Sequence, residues 1–595
     1  IPGGIQGIPP GTFQGGQFGN VGGVPGQKPK DETLRVMAIV ELKKYKVDRR
    51  FGGVYLSHDW GQTYLMPQKG VLTVEFLKTP DNKLLATRRA RFAAEQKKLA
   101  LVKSSSPQQT IDLARWALRH GLLDKFEELL DNLAGNAKTK SLPVVQSYLK
   151  AKANIEKSLP MNRKVTKLKK QVFEGYRYAS SDHYLLLHRE LADDSPAVKK
   201  RLNQLEAFYK GVNYWFALQN KVLPAPQKKM ISVLIGGQEP VQAFHNQRRN
   251  FGDNPIYTDH FFSPRHQVMA LSNTRLGDAY QLLEKRTAGI WDRYNVNKVM
   301  KDPLPKNNDW KQAAIAQTYA MVLKSLQQDA ELAAVSHGGI RQMIVGAGLI
   351  PRNVLTPEWI DFGLGATFEV PVGSPWAGFG NPHWRYHFTF KELRTTKKLP
   401  TSPYALLEQV VTDEMFKTKK KGKSSVQARA TAWALCHYLL NKQMDGLFRY
   451  FNELSKLPRD LELSKKIKLE IFARAVKCVD VRGEVDKRAL GKFASRWLSS
   501  KRNDSVLGQE NTLSLIYKHQ NELQAERDQA NKPKPRPGGG GTFPGGGFPG
   551  GGFPGGFPGG GTPPGTFPGA GGGNIPGGLI PGGGGRPQRQ PRRRR

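Results

Sequence analysis

The reading of this chain turns on two neighbouring stretches, the first of them Leu332-Ala333-Ala334-Val335-Ser336-His337-Gly338-Gly339-Ile340-Arg341-Gln342. After a break at Gly348-Leu349-Ile350-Pro351 comes the second, Pro357-Glu358-Trp359-Ile360-Asp361-Phe362-Gly363-Leu364-Gly365-Ala366-Thr367-Phe368-Glu369. The first piece has the spacing of a helix that ends at Gly346 or Gly348, and the second is read as another helix.

Outward from this pair the period changes several times. Upstream, Tyr184-Leu185-Leu186-Leu187-His188 reads as a strand. Next comes a long amphipathic helix carrying Val198, Leu202, Leu205, Phe208, Tyr209, Val212 and Trp215. Strands are expected at Met230–Ile235 and at 267–272, and helices at 280–292 and 310–334. Further upstream, 34–86 alternates apolar and polar residues between glycines, which predicts a small antiparallel unit. From Gln108 helical spacing takes over, with Gly121 separating two helices and Pro143 preceding a third. Downstream of 400 the pattern is helical again.

The expected fold class is therefore α+β. Its parts are a Gly/Pro-rich arm at 1–33, a small β unit at 34–100 and a helical hairpin region at 101–171. An α+β domain at 172–400 precedes a helical subdomain at 401–530. A Gly/Pro/Phe-rich tail at 531–595 ends in an Arg cluster. The chain has 595 residues with 63 Gly and 40 Pro, and 26 of those Gly and 14 of those Pro fall in 531–595. Such ends bury too little to offset their ordering entropy and are expected to be disordered. The bias is confined to the ends and lacks a strict Gly-X-Y period, which excludes a collagen-like chain.

The net charge is +41. Nine positive residues lie in the tail, so most of the excess belongs to the body. This predicts attraction to polyanions without choosing among them. Candidate contacts are the basic loop with Lys419, Lys420, Lys421 and Lys423, and the terminal Arg592, Arg593, Arg594 and Arg595. The two cysteines, Cys436 and Cys478, lie in helical patterns and are read as buried thiols, with a disulfide left open. Two separated cysteines exclude a zinc finger. There is no phosphate-binding loop and no Gly-x-Ser-x-Gly, and no run of 18 apolar residues suits a transmembrane helix. A start at Ile1 rather than Met suits a chain whose export signal has been removed, so an extracytoplasmic place is expected.

The 332–369 stretch resembles the bacterial domain-of-unknown-function family 1570, known mainly from planctomycetes and similar to gluzincin metallopeptidases. The resemblance extends over about 175–480. It includes Asp182-His183-Tyr184, Asp259-His260-Phe261-Phe262 and Ala432-Trp433-Ala434-Leu435-Cys436-His437-Tyr438. In that family one helix carries His-Glu-x-x-His-Gln and the next supplies a Glu. Two histidines at i and i+4 share a helix face and reach one Zn²⁺, the first Glu activates its water, and the second Glu is the third ligand.

Against that pattern His337 matches the first ligand, but Gly338 stands at the general base, Arg341 at the second histidine and Phe362 at the third ligand. Gln342, Trp359 and Glu369 match and are read as residues of the old cleft, with Glu369 too far along its helix to replace a side chain at 362. His437 is read as a packed core histidine. A permanent cation at 341 opposes a dication, so no zinc and no other cofactor is expected. The resemblance then implies a metallopeptidase-like fold without its chemistry, acting by binding a peptide or protein partner. Two alternatives stand beside it. One is a polyanion-binding structural protein of the cell envelope. The other is an active hydrolase with a non-standard site using His337, Arg341 and Glu369.

Overall fold

The computed structural model describes residues 38, 40–48, 53–65, 86–101, 106–190, 192–235, 260–264, 266–272, 278–302, 306–351, 354–369, 380–417 and 423–500. The terminal arms, residues 66–85 of the alternating stretch at 34–86 and the end of the helical pattern beyond 500 lie outside them.

The chain is α+β. The first sheet is an antiparallel meander of β1 (Leu42–Asp48), β2 (Gly53–His58) and β3 (Gly61–Leu65). Its first strand starts later than the alternation at 36–40 suggests. Ala38 and Val40 lead into it as buried chain, because tertiary burial and not strand pairing explains their apolar character. Next in the chain are helices α1 (Arg88–Leu101), α2 (Pro107–Arg119), α3 (Leu123–Gly135) and α4 (Pro143–Glu156), then the short α5 (Lys164–Gln171). The expected hairpin of α2 and α3 is present, and Gly121 turns it in the left-handed region at φ 74°.

The second sheet has the order β4-β5-β6-β8-β7. Its strands are β4 (Arg177–Ser180), β5 (Tyr184–His188), β6 (Met230–Ile235), β7 (His260–Ser263) and β8 (Val268–Ser272). β5, β6 and β8 run parallel, while β4 and β7 pair antiparallel at the two edges. The four strands from β5 to β7 in this order are buried at every residue, which a sheet covered on both faces requires. One face packs Leu185, Leu187, Ile231, Val233 and Phe261 against Val165 and Leu168 of α5 and against Phe173 and Tyr176. The other face meets α6 (Pro196–Ala217) and a helix of 40 residues.

That long helix is α9 (Asn307–Gly346), which comes after α7 (Asp278–Tyr294) and the single turn α8 (Val296–Val299). At 1.5 Å per residue it spans about 60 Å and serves both sheets. Its first half carries Trp310 and Ala314 against Tyr64, and Met321 against Val40, Leu42, Leu56 and Leu65. Its second half crosses the large sheet, and it runs unbroken through Gly338 and Gly339. Those glycines allow the close crossing: a Cβ at 338 would stand 2.5 Å from Met269 Sδ, and one at 339 would stand 2.6 Å from the Phe208 ring.

The remaining helices are α10 (Glu358–Phe368), α11 (Trp384–Thr395), α12 (Pro403–Val411), α13 (Lys423–Lys442), α14 (Met444–Ser455), α15 (Lys465–Ala475) and α16 (Lys487–Ser499). One apolar core runs from Phe92 in α1 to Trp497 in α16. Burying each large side chain in it contributes about 1.5–3 kcal/mol before conformational entropy is subtracted. Within the described residues no helix is long and apolar enough to cross a membrane.

Candidate functional site

The site expected from the sequence lies where the second half of α9 meets α10. The N-terminus of α10 is capped from a distance, because Pro357 offers no side-chain acceptor. Asp413 supplies one: its Oδ1 accepts the Trp359 N–H at 2.9 Å, and its Oδ2 lies 2.5 Å from Lys468 Nζ. Asp413 takes the left-handed conformation, φ 61°, which Asp tolerates better than most residues. Burial raises its carboxyl pKa, and the Lys468 ammonium and the backbone N–H groups oppose that shift.

His337 is fully buried. Its Nε2 edge is turned onto α10, where a Cβ at Gly365 would stand 2.3 Å away. Its Nδ1 lies 3.6 Å from Glu369 Oε2. The Phe362 ring meets it edge-on at 5.4 Å and the His260 ring lies 5.0 Å away. Arg341 is paired with Asp361: its Nε donates to Oδ1 at 2.5 Å and its terminal nitrogen contacts Oδ2. The guanidinium also lies 5.4 Å from the Phe262 ring centroid. Phe362 packs among His337, Tyr386 and Phe416.

Glu369 corrects the sequence reading. It comes directly after the last residue of α10, and its carboxylate turns back to His337 instead of pointing beyond reach. The same Oε2 lies 3.3 Å from His383 Nε2 at the start of α11. His383 Nδ1 accepts the Tyr386 backbone N–H at 3.2 Å, which leaves Nε2 as the nitrogen that faces Glu369. Burial disfavours the Glu369 anion, but the two imidazoles outweigh it and hold the carboxyl far below the usual range. Burial lowers the pKa of His337, with Glu369 opposing. Burial lowers His260 further, helped by His337 and Arg341.

Two further readings are corrected. Trp359 is not a cleft residue. It is fully buried against Tyr450 and Phe472, because Asp413 fixes the first turn of α10 inside the helical core. Gln342 is also buried and donates to the Ile231 carbonyl at 2.8 Å, tying α9 to β6. His437 is packed against Trp433 with ring centroids 5.2 Å apart. Cys436 and Cys478 are both buried free thiols, and no disulfide joins them. Of the basic candidates, Lys423 opens α13, while Lys419, Lys420, Lys421 and Arg592–Arg595 lie outside the described residues.

These side chains do not fit a zinc ion. Zinc needs three lone pairs converging at about 2.0–2.2 Å from one point. Nε2 of His337 faces a helix backbone, the lone pair of His383 is taken up by its own first turn, and Arg341 and Phe362 offer none. Among the described residues no three His, Cys, Asp or Glu side chains are placed to hold a metal. Sequence reasoning missed Asp361 as the partner of Arg341 and missed His260, Gly365 and His383. His260 stood within a quoted segment. His383 carried no signal beyond its position after Pro382.

No curated protein and no solved structure matches this chain. Residues 331–460, which carry His337, Gly338, Arg341, Phe362 and Glu369, match a family described as Protein of unknown function (DUF1570), and the match supports that family for this segment.

Proposed function

We propose that this chain is a metallopeptidase-like protein without peptidase chemistry, which acts by binding a peptide or protein partner. One observation carries the reading. The second-ligand position holds a guanidinium already neutralised by Asp361, beside an imidazole whose Nε2 is closed off by α10. Removing Asp361 would leave the buried Arg341 charge uncompensated, and the guanidinium, while it is there, opposes a dication at the same position. The general-base position holds Gly338, where a Cβ would stand 2.5 Å from Met269 Sδ, so a longer side chain there would need Met269 to move.

Glu369 between His337 and His383 is the arrangement that would favour a working hydrolase. Its neighbours, however, hold it as a low-pKa anion, which is a poor general base near neutral pH.

Metal analysis of the purified full chain, with hydrolysis of denatured casein, tests the proposal. The expected result is substoichiometric zinc and no cleavage above that of the His337→Ala variant. Stoichiometric zinc together with cleavage that His337→Ala abolishes would overturn it.

A further inference from the structure

The apolar side of α5 is spent on the large sheet, where Val165 and Leu168 are buried. Helical geometry then turns Arg163, Lys167 and Lys170, at i, i+4 and i+7, outward together. All three are exposed, and no acidic side chain within salt-bridge distance engages them among the described residues. Lys164 is exposed beside them. Within α5 itself there is no acidic residue.

β4 is an edge strand of the sheet, and one cation–π contact joins it to the helix. There Tyr178 is 37 % exposed, and Lys169 Nζ lies 5.7 Å from its ring centroid. Arg177 is exposed on the same strand, with Asp193 at 4.0 Å. Arg189 covers the Tyr176 ring at 4.9 Å. The one acid between 163 and 178 is Glu174.

We infer that the face formed by α5 and β4 is a docking surface for single-stranded nucleic acid. Lys167, Lys170 and Arg163 would neutralise successive phosphates, and Tyr178 would stack on a base with Lys169 beside it. Two features favour this occupant over a lipid surface or an acidic polysaccharide. The apolar residues of α5 point inward and leave no apolar stripe to enter a bilayer. An aromatic ring set among cations offers a stacking platform, which phosphate neutralisation alone does not need. The inference does not depend on the fate of the metal-like site.

The test titrates the full chain with an oligothymidylate, with heparin and with vesicles of phosphatidylserine, over a range of salt. Three variants are compared: Lys167→Glu/Lys170→Glu, Tyr178→Ala, and Lys391→Glu/Lys398→Glu as a charge-matched control on another surface. The first should weaken oligothymidylate binding roughly tenfold at low salt and flatten the salt slope by about 1.4, at about 0.7 per phosphate lost. Tyr178→Ala should cost roughly five- to hundredfold on the oligonucleotide, the range for one stacked base, and leave heparin binding unchanged. The control should match the wild type. Oligothymidylate binding that responds equally to the face and control variants overturns the inference. So does binding that ignores Tyr178→Ala, or an effect of the face confined to heparin or vesicles.

Discussion

If Nε2 of His337 is pressed against α10, a methyl group at 365 cannot be accommodated while the imidazole is present. Gly365→Ala would place a Cβ 2.3, 2.4 and 2.5 Å from Nε2, Cδ2 and Cε1. The ring cannot retreat, since Phe362 and His260 flank it at 5.4 and 5.0 Å and the side chain is fully buried. Overpacking of this kind costs about 1–3 kcal/mol. With His337→Ala in the background the obstacle is gone, and the same substitution should gain about 1 kcal/mol from the helix preference for Ala over Gly. The coupling between the two positions is therefore about 2–4 kcal/mol, large for a contacting pair. Urea denaturation of the wild type, both single variants and the double variant measures it. Gly365→Ala that is neutral, or equally costly in both backgrounds, would refute the reasoning. Nε2 would then face open space, as a metal ligand must.

Three other outcomes are expected from the same geometry. Lys468→Met leaves the Asp413 carboxylate buried without its cation and should cost about 3–5 kcal/mol in denaturation, with Asp413→Asn added to it recovering part of the loss. His260 and His337 have folded-state pKa values below the ordinary one, so the unfolded chain binds protons that the folded chain refuses. Their contribution is complete above about pH 6.5 and falls as pH drops below it, by up to about 1.4 kcal/mol per unit for each. His260→Gln and His337→Gln should flatten the pH dependence of the urea midpoint over that window. Finally, Gly338→Glu, Arg341→His and Phe362→Glu made together restore the ligand and base types but not the space. They meet Met269 and strip Asp361 of its partner, so metal analysis should find substoichiometric zinc and denaturation a lower midpoint.

Much of the fold was legible because secondary structure is local. The strands at 184–188 and 230–235 appear with the bounds that their apolar runs suggest, and the helices after 400 begin and end within a few residues of their periodic patterns. The continuity of α9 was not legible. The helix expected at 310–334 and the helical stretch ending at Gly346 or Gly348 are one element, and only Met269 and Phe208, brought from a strand and another helix, show why small residues are needed at 338 and 339.

By itself the sequence determined which chemical groups are missing. The absence of a carboxylate at 338, an imidazole at 341 and a carboxylate at 362 needs no coordinates. Only the tertiary structure decided what the remaining groups do. Asp361 neutralises Arg341, Glu369 joins His337 to His383, and Trp359 sits in the core because Asp413 caps its helix. Helical spacing gives the direction of a side chain from its own axis. Which partner it meets depends on how separate axes cross, and that is set by burial over the whole core.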